Sequence, residues 1–244
     1  MLNSVNDKFL ARSQAILSFL DPLDITELST FEQLPEVIRS FPAHTLLTRD
    51  FFEEMLSSHQ IRGAIGGEGN WVQVGVWKGG GALFLRALME DYGIDSELHL
   101  YDTFDGCRSE ALTQPEDRRF SAALGLQHVS ECYEESAVSL LERFSLNSKV
   151  VFHKGDITNS NHAIVPDKIS LLHLDVDFYE PTLSALRLFY DRVVPGGIII
   201  VDDYYLNLVN CRQAVDNFVL EKGIAEIIDM NRFSSFSLIM KKRL

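Results

Sequence analysis

No run of apolar residues in this 244-residue chain approaches the ~20 needed to cross a bilayer; the longest are strand-sized. Its first residues, Met1-Leu-Asn-Ser-Val-Asn-Asp-Lys8, lack a basic segment followed by an apolar one, so no secretory signal is expected. Cysteine is scarce. Cys107, Cys132 and Cys211 are odd in number, far apart and without C-x-x-C spacing. That argues against a zinc cluster and for a reducing compartment, and a cytoplasmic location is the expectation. Positive charge is in deficit, with 22 Lys and Arg against 35 Asp and Glu and a formal charge of −13. The basic residues are dispersed, and only Lys241-Lys242-Arg243 cluster. A nucleic-acid partner is therefore not expected, and a small molecule fits better. Internal repeats and low-complexity segments are also absent.

What is present reads as helices first and an alternating pattern after them. Apolar residues recur at helical spacing from Asn6 to Leu20, Asp21-Pro22 ends that stretch, and two more follow around 31–40 and 48–59, separated by Pro42. Gly63 to Gly69 reads as a turn. Strands are expected over 70–76, 97–103, 149–154, 170–177 and 197–202, with helices over 79–92, near 127–144, over 181–193 and over 210–222. Residues 105–122 are polar and read as an excursion or loop. A closing pair, 224–229 and 235–241, has only a short turn between its strands and must be antiparallel. The alternation predicts an α/β fold whose mostly parallel sheet is covered on both faces. Residues 1–60 are expected to form a helical lid or dimer element, and 61–244 one α/β domain.

Two of the apolar runs end in carboxylates. Leu171-Leu172-His173-Leu174 leads into Asp175-Val176-Asp177, and Gly197-Ile198-Ile199-Ile200-Val201 leads into Asp202-Asp203. As neighbouring parallel strands they would set these acids at the carboxyl edge of the sheet, where open α/β sheets bind ligands. Converging carboxylates repel one another unless a cation sits among them. A divalent metal site on Asp175, Asp202 and Asp203 is the expectation.

A glycine turn, Val74-Gly75-Val76-Trp77-Lys78-Gly79-Gly80-Gly81, follows the first strand. Trp77 stands where the dinucleotide fingerprint needs glycine, which argues against a nicotinamide cofactor. The turn either lets backbone approach a ligand, with helix N–H groups aimed at a negative group, or only permits tight helix–sheet packing. Asp102 ends the second strand, placed to accept from both hydroxyls of a ribose. Asp156 follows the third strand and either accepts from an adenine amino group or caps a turn.

These pieces together resemble the macrocin O-methyltransferase (TylF) family of class I S-adenosylmethionine (SAM) methyltransferases. The resemblance is carried by Ala43-His44-Thr45-Leu46-Leu47, Gly75-Val-Trp-Lys-Gly79-Gly80, Tyr101-Asp102-Thr103-Phe104-Asp105-Gly106, Leu172-His-Leu-Asp175-Val-Asp177-Phe-Tyr-Glu180-Pro-Thr182, Pro195-Gly196-Gly197 through Asp202-Asp203-Tyr204, and Cys211-Arg212-Gln-Ala-Val215-Asp216. It implies a Rossmann-like fold with a seven-stranded, mostly parallel sheet whose last strand is antiparallel. It implies SAM bound by Thr45, Gln73, Gly75, Val76, Gly79, Gly80, Asp102, Thr103, Asp156 and Asp175. It also implies Mg²⁺ on Asp175, Asp202 and Asp203, and methylation of a small-molecule hydroxyl, on a sugar or diol of a secondary metabolite. Two departures are Gln73, where the family usually has glutamate, and Thr103, where serine is more usual. Residues 107–130, the expected seat of acceptor specificity, match no family motif.

Chemistry adds the rest. An octahedral Mg²⁺ held by three aspartates has room for two acceptor oxygens, which suits a vicinal diol. The base is expected to be Asp175 or His153, although a histidine in that place is more often structural. His173, mid-strand, is expected in the core. A catechol-type metal-dependent methyltransferase shares the acid cluster. A SAM-binding protein without catalysis is the reading of another class; Gln73 favours it and the three acids argue against it.

Overall fold

Residues 10–22, 44–59, 61, 68–106, 112–124, 133–162, 164–225 and 227–243 are described by a computed structural model. The strands are β1 (Asn70–Val74), β2 (Leu98–Asp102), β3 (Val150–Lys154), β4 (Ile169–Leu174), β5 (Val193–Val201), β6 (Ile228–Arg232) and β7 (Leu238–Lys242). Among the described residues the α-helices are α1 (Ala11–Leu20), α2 (Arg49–Ser57), α3 (Gly80–Asp91), α4 (Pro115–Leu124), α5 (Tyr133–Arg143), α6 (Tyr179–Phe189) and α7 (Cys211–Lys222). None is long and apolar enough to cross a membrane.

One sheet holds all seven strands in the order β3-β2-β1-β4-β5-β7-β6. β1 to β5 pair in parallel, and β7 runs antiparallel to both β5 and β6. The chain leaves β1 outward through β2 to β3, then returns to lay β4 on the other side of β1. That reversal opens a crevice at the carboxyl ends of β1 and β4, the usual ligand site of such sheets.

Alternation along each strand divides the core into two layers. Trp71, Leu100, Leu171 and Ile200 face α1, α2, α3 and α5, through residues such as Ile16, Phe52, Phe84 and Leu141. Val72, Leu172, Leu174 and Ile199 face α6 and α7, through Leu186, Phe189, Val215 and Phe218. The N-terminal helices belong to the first layer. Phe51, Phe52 and Met55 of α2 are buried there, and Ser13 of α1 donates to Asp91 Oδ2 through its N–H at 2.7 Å and its hydroxyl at 2.6 Å. The helical stretch expected at 31–40 and residues 63–67 of the glycine turn lie outside the described residues.

Two expectations change. The polar segment 105–122 contains helix α4, which starts at Pro115, carries Glu116 and Asp117 in its first turn and buries Phe120. Proline and acids suit a helix start, because the first N–H groups have no partner within the helix. Strand β4 ends at Leu174, where its apolar run ends and three residues short of the expected 177, and the chain turns at Asp177, where φ is +60°. Trp77 (φ +47°), Phe104 (+52°) and Asp203 (+57°) share this uncommon backbone shape just beyond β1, β2 and β5. Non-glycine residues in the left-handed region gather at functional sites, and here four of them gather at one edge of the sheet.

Candidate active site

The glycine turn begins where β1 meets β4. Gly75 has φ +87°, and a Cβ on it would lie 1.8 Å from the Asp175 carbonyl oxygen. Only glycine satisfies both constraints. The Asp102 carboxylate then fastens the turn. Its Oδ2 accepts from the N–H groups of Val76 at 2.6 Å and Trp77 at 2.9 Å, and its Oδ1 from Phe104 N–H at 2.8 Å. A carboxylate offers about four acceptor positions. Three are taken by backbone, and the Thr103 hydroxyl lies 3.4 Å from Oδ1. Thr103 turns its hydroxyl to the Gly106 carbonyl at 2.9 Å.

Packing explains the remaining glycines. A Cβ on Gly79 would meet Ala137 of α5 at 2.8 Å, and one on Gly80 would meet the His44 carbonyl at 2.4 Å. Gly80 N–H donates to that carbonyl at 2.8 Å. Thr45 is buried beside Gly80, its hydroxyl oxygen accepting from Leu47 N–H at 3.1 Å. Gln73 sits below, its Nε2 donating to the Gly75 carbonyl at 2.9 Å. Its Oε1 is buried without a partner. A vacant acceptor next to Gly75 and Gly81 fits the amino group of an amino-acid-like ligand.

The three acids converge as their strands do. One oxygen from each of Asp175, Asp202 and Asp203 lies within 4.8 Å of the others. None of the three is in an ion pair with Lys or Arg among the described residues. Burial and then the neighbouring acids Asp202, Asp177 and Asp102 push the Asp175 carboxyl well above the usual carboxylate range. Burial followed by Asp202, Asp177 and Asp175 does the same to Asp203. Burial also lifts Asp202, to about 6, against a hydrogen bond from the Ser237 hydroxyl to its Oδ1. Such a set is short of positive charge. The donors are hard oxygens, which suit Mg²⁺. Two oxygens on one octahedral Mg²⁺ are about 3 Å apart when adjacent and about 4.2 Å when opposite, so three oxygens that lie within 4.8 Å of one another would draw closer around the ion.

Two further acids belong to this region: Asp177, which the sequence set at the sheet edge without a place in the metal site, and Asp117, which it missed. Asp177, beyond the end of β4, hydrogen-bonds the side chain of Asp203 and is itself raised, chiefly by burial. The alternation of Asp175 and Asp177 was the available signal, although the strand stops short of both. Asp117 of α4 is buried against the same edge. It accepts from Tyr179 N–H at 2.9 Å and from Asn210 N–H at 2.7 Å. Nothing in its polar surroundings marks it as buried.

The structure does not bring His153 to these acids. It lies on the edge strand β3, with β2 and β1 between it and β4, about 14 Å of strand spacing. Its Nε2 is 2.9 Å from His99 Nδ1, His99 Nε2 is 3.2 Å from Glu97, and its ring stacks on Tyr101 at 4.2 Å. Asp156 caps the short helical turn after β3, accepting from Thr158 N–H at 2.9 Å and its hydroxyl at 2.6 Å. His173 is fully buried beside Phe51, neither ring nitrogen has a partner, and burial lowers its pKa to about 3.

Comparison with known proteins follows the same lines. A family model described as Macrocin-O-methyltransferase (TylF) matches residues 41–237. The mycinamicin III 3''-O-methyltransferase of Micromonospora griseorubida is 27% identical over 220 residues, 85% of this chain and 84% of that protein. A tetracenomycin-C 4'-O-methyltransferase of Streptomyces olivaceus, whose substrate carries a dimethoxyrhamnosyl group, is 27% identical over 76% of this chain and 71% of its own. The structure of the O-methyltransferase NovP superimposes with a TM-score of 0.75 at 22% identity, covering 98% of each chain.

Proposed function

The chain belongs to the macrocin-O-methyltransferase (TylF) family, and from that premise we propose that it methylates a hydroxyl of a small molecule bearing a sugar or vicinal diol, with a divalent ion on Asp175, Asp202 and Asp203. As a member it is a SAM-dependent O-methyltransferase. The acceptor class is supported by relatives named for hydroxyls of glycosylated natural products. The ion is supported by one observation above the others, three carboxylates within 4.8 Å at the end of β4 and β5, beside the glycine turn.

Bound there, Mg²⁺ would acidify and orient an alcohol, and SAM would supply an electrophilic methyl group. The chain's own part is binding and positioning, the main contribution a protein makes to a displacement with an activated donor. Asp102 and Gln73 hold the glycine turn in shape from both sides. Ser237 orients Asp202 through its Oδ1. Asp175 is assigned the acceptor's proton, because it lies where the acid cluster meets the glycine turn.

Labelled SAM offered with a panel of vicinal-diol glycosides tests the reading. Label should pass to at least one diol with the wild type. Asp203→Asn should retain S-adenosylhomocysteine (SAH) binding and lose transfer. Full transfer by that variant contradicts the metal assignment.

A further inference from the structure

We propose that Asp117 is a positioning residue for the reaction, a single buried carboxylate on α4 that sets the spacing between the acids following β4 and those following β5. The proposal rests on the metal reading above. Asp117 is fully buried. Its Oδ2 accepts from the N–H of Tyr179, the first residue of α6, at 2.9 Å. Its Oδ1 accepts from the N–H of Asn210, which precedes α7, at 2.7 Å, and from Asn210 Nδ2 at 3.2 Å.

Those two N–H groups begin the helices that follow the two acid-bearing segments. Tyr179 comes two residues after Asp177, and Asn210 ends the segment that starts at Asp202-Asp203. Helix starts have N–H groups without intrahelical partners and a positive dipole end, so a carboxylate shared by two of them is held firmly and holds both. α4 is tied to the same place at further points. Thr113 N–H donates to Glu180 at 2.8 Å, and Phe120 packs edge-on to Phe178 at 6.5 Å. The segment in which the sequence shows no family motif thus reaches the acid-bearing turns through Asp117, which alone bridges both helix starts, while Glu116 Oε2 accepts only from Asn210 Nδ2, at 3.4 Å. Asparagine cannot replace it, because its NH₂ would face one of the two N–H donors.

The test is calorimetric titration of Mn²⁺ into the SAH-loaded full chain, for wild type, Asp117→Asn and Asp117→Ala, with SAH affinity measured separately. Groups that orient metal ligands typically govern affinity by 10–100-fold, so Mn²⁺ binding should weaken by about tenfold or more in both variants while SAH affinity stays within about twofold. That split is not expected of a carboxylate that merely stabilises the fold. Mn²⁺ affinity within about twofold of wild type in both variants overturns the proposal. A wild-type chain that takes up no Mn²⁺ refutes the metal reading instead, and amide hydrogen exchange then decides on Asp117. Joint loss of protection at Tyr179 and Asn210 in Asp117→Ala, with β4 and β5 still protected, upholds the tie; retained protection at both overturns it.

Discussion

Gly75 lies against the main-chain carbonyl of Asp175, so close that a methyl group on its α-carbon would stand 1.8 Å from the oxygen. The first residue of the glycine turn and the first of the converging acids are thus packed as one unit. Gly75→Ala would meet backbone that cannot move aside and would hold a side chain at φ +87°. We expect a loss of more than ~3 kcal/mol in stability, read by urea unfolding, and weakened SAH binding in any folded fraction. A variant as stable as wild type, with wild-type affinity, contradicts this packing.

His153 belongs to a Glu97–His99–His153 chain at the sheet edge, away from the acids. His153→Gln should keep turnover within about threefold of wild type, well short of the ~10²–10⁴-fold loss that follows removal of a general base. The pH–rate profile should also keep its shape. A loss on the base scale would place His153 in the chemistry after all.

Metal binding should weaken in acid. The metal-free Asp202 carboxyl is raised to about 6, mainly by burial, so below that pH an ion must displace a proton to bind. Through Asp202 alone, affinity for Mg²⁺ should fall about tenfold from pH 7 to pH 5 and level off above pH 7. For Asp202 alone, the folded metal-free chain holds its proton more tightly than the unfolded chain does. Its contribution to stability therefore falls as pH rises from about 4 to about 6, and Mg²⁺ should restore it. Titrations across this range check both signs.

The buried imidazole of His173 gives an opposite slope. Its pKa is lowered to about 3, so the fold keeps it neutral and its contribution is lost as pH falls below the ordinary histidine value. His173→Leu should gain on wild type in acid. The difference in unfolding free energy should shift in its favour by roughly 2 kcal/mol between pH 7.5 and pH 5. A pH-independent difference would mean that the ring finds a proton partner in solution.

Much of this was written in local pattern. Apolar runs ending in Asp175 and Asp202-Asp203 announced both the strands and their shared edge, and Gly75 to Gly80 announced the turn beside them. What depends on strand order was hidden: His153 lies one residue from the end of its strand and Asp102 at the end of its own, yet β3 is an edge strand and β2 is not. Partners were hidden as well. Asp102 looked like a sugar-binding acid, and most of its capacity goes to Val76, Trp77 and Phe104 N–H. Asp117 sits in Pro115-Glu-Asp-Arg-Arg119, which reads as a solvated helix start, because burial of one acid within a charged run leaves no periodic signal.

The most direct measurement is methyl transfer from labelled SAM to a vicinal-diol glycoside by chain stripped with EDTA, before and after Mg²⁺ is added back. The account predicts a loss of about 10² or more on stripping and recovery with Mg²⁺, with SAH affinity unaffected throughout. Undiminished turnover by the metal-free chain would contradict it.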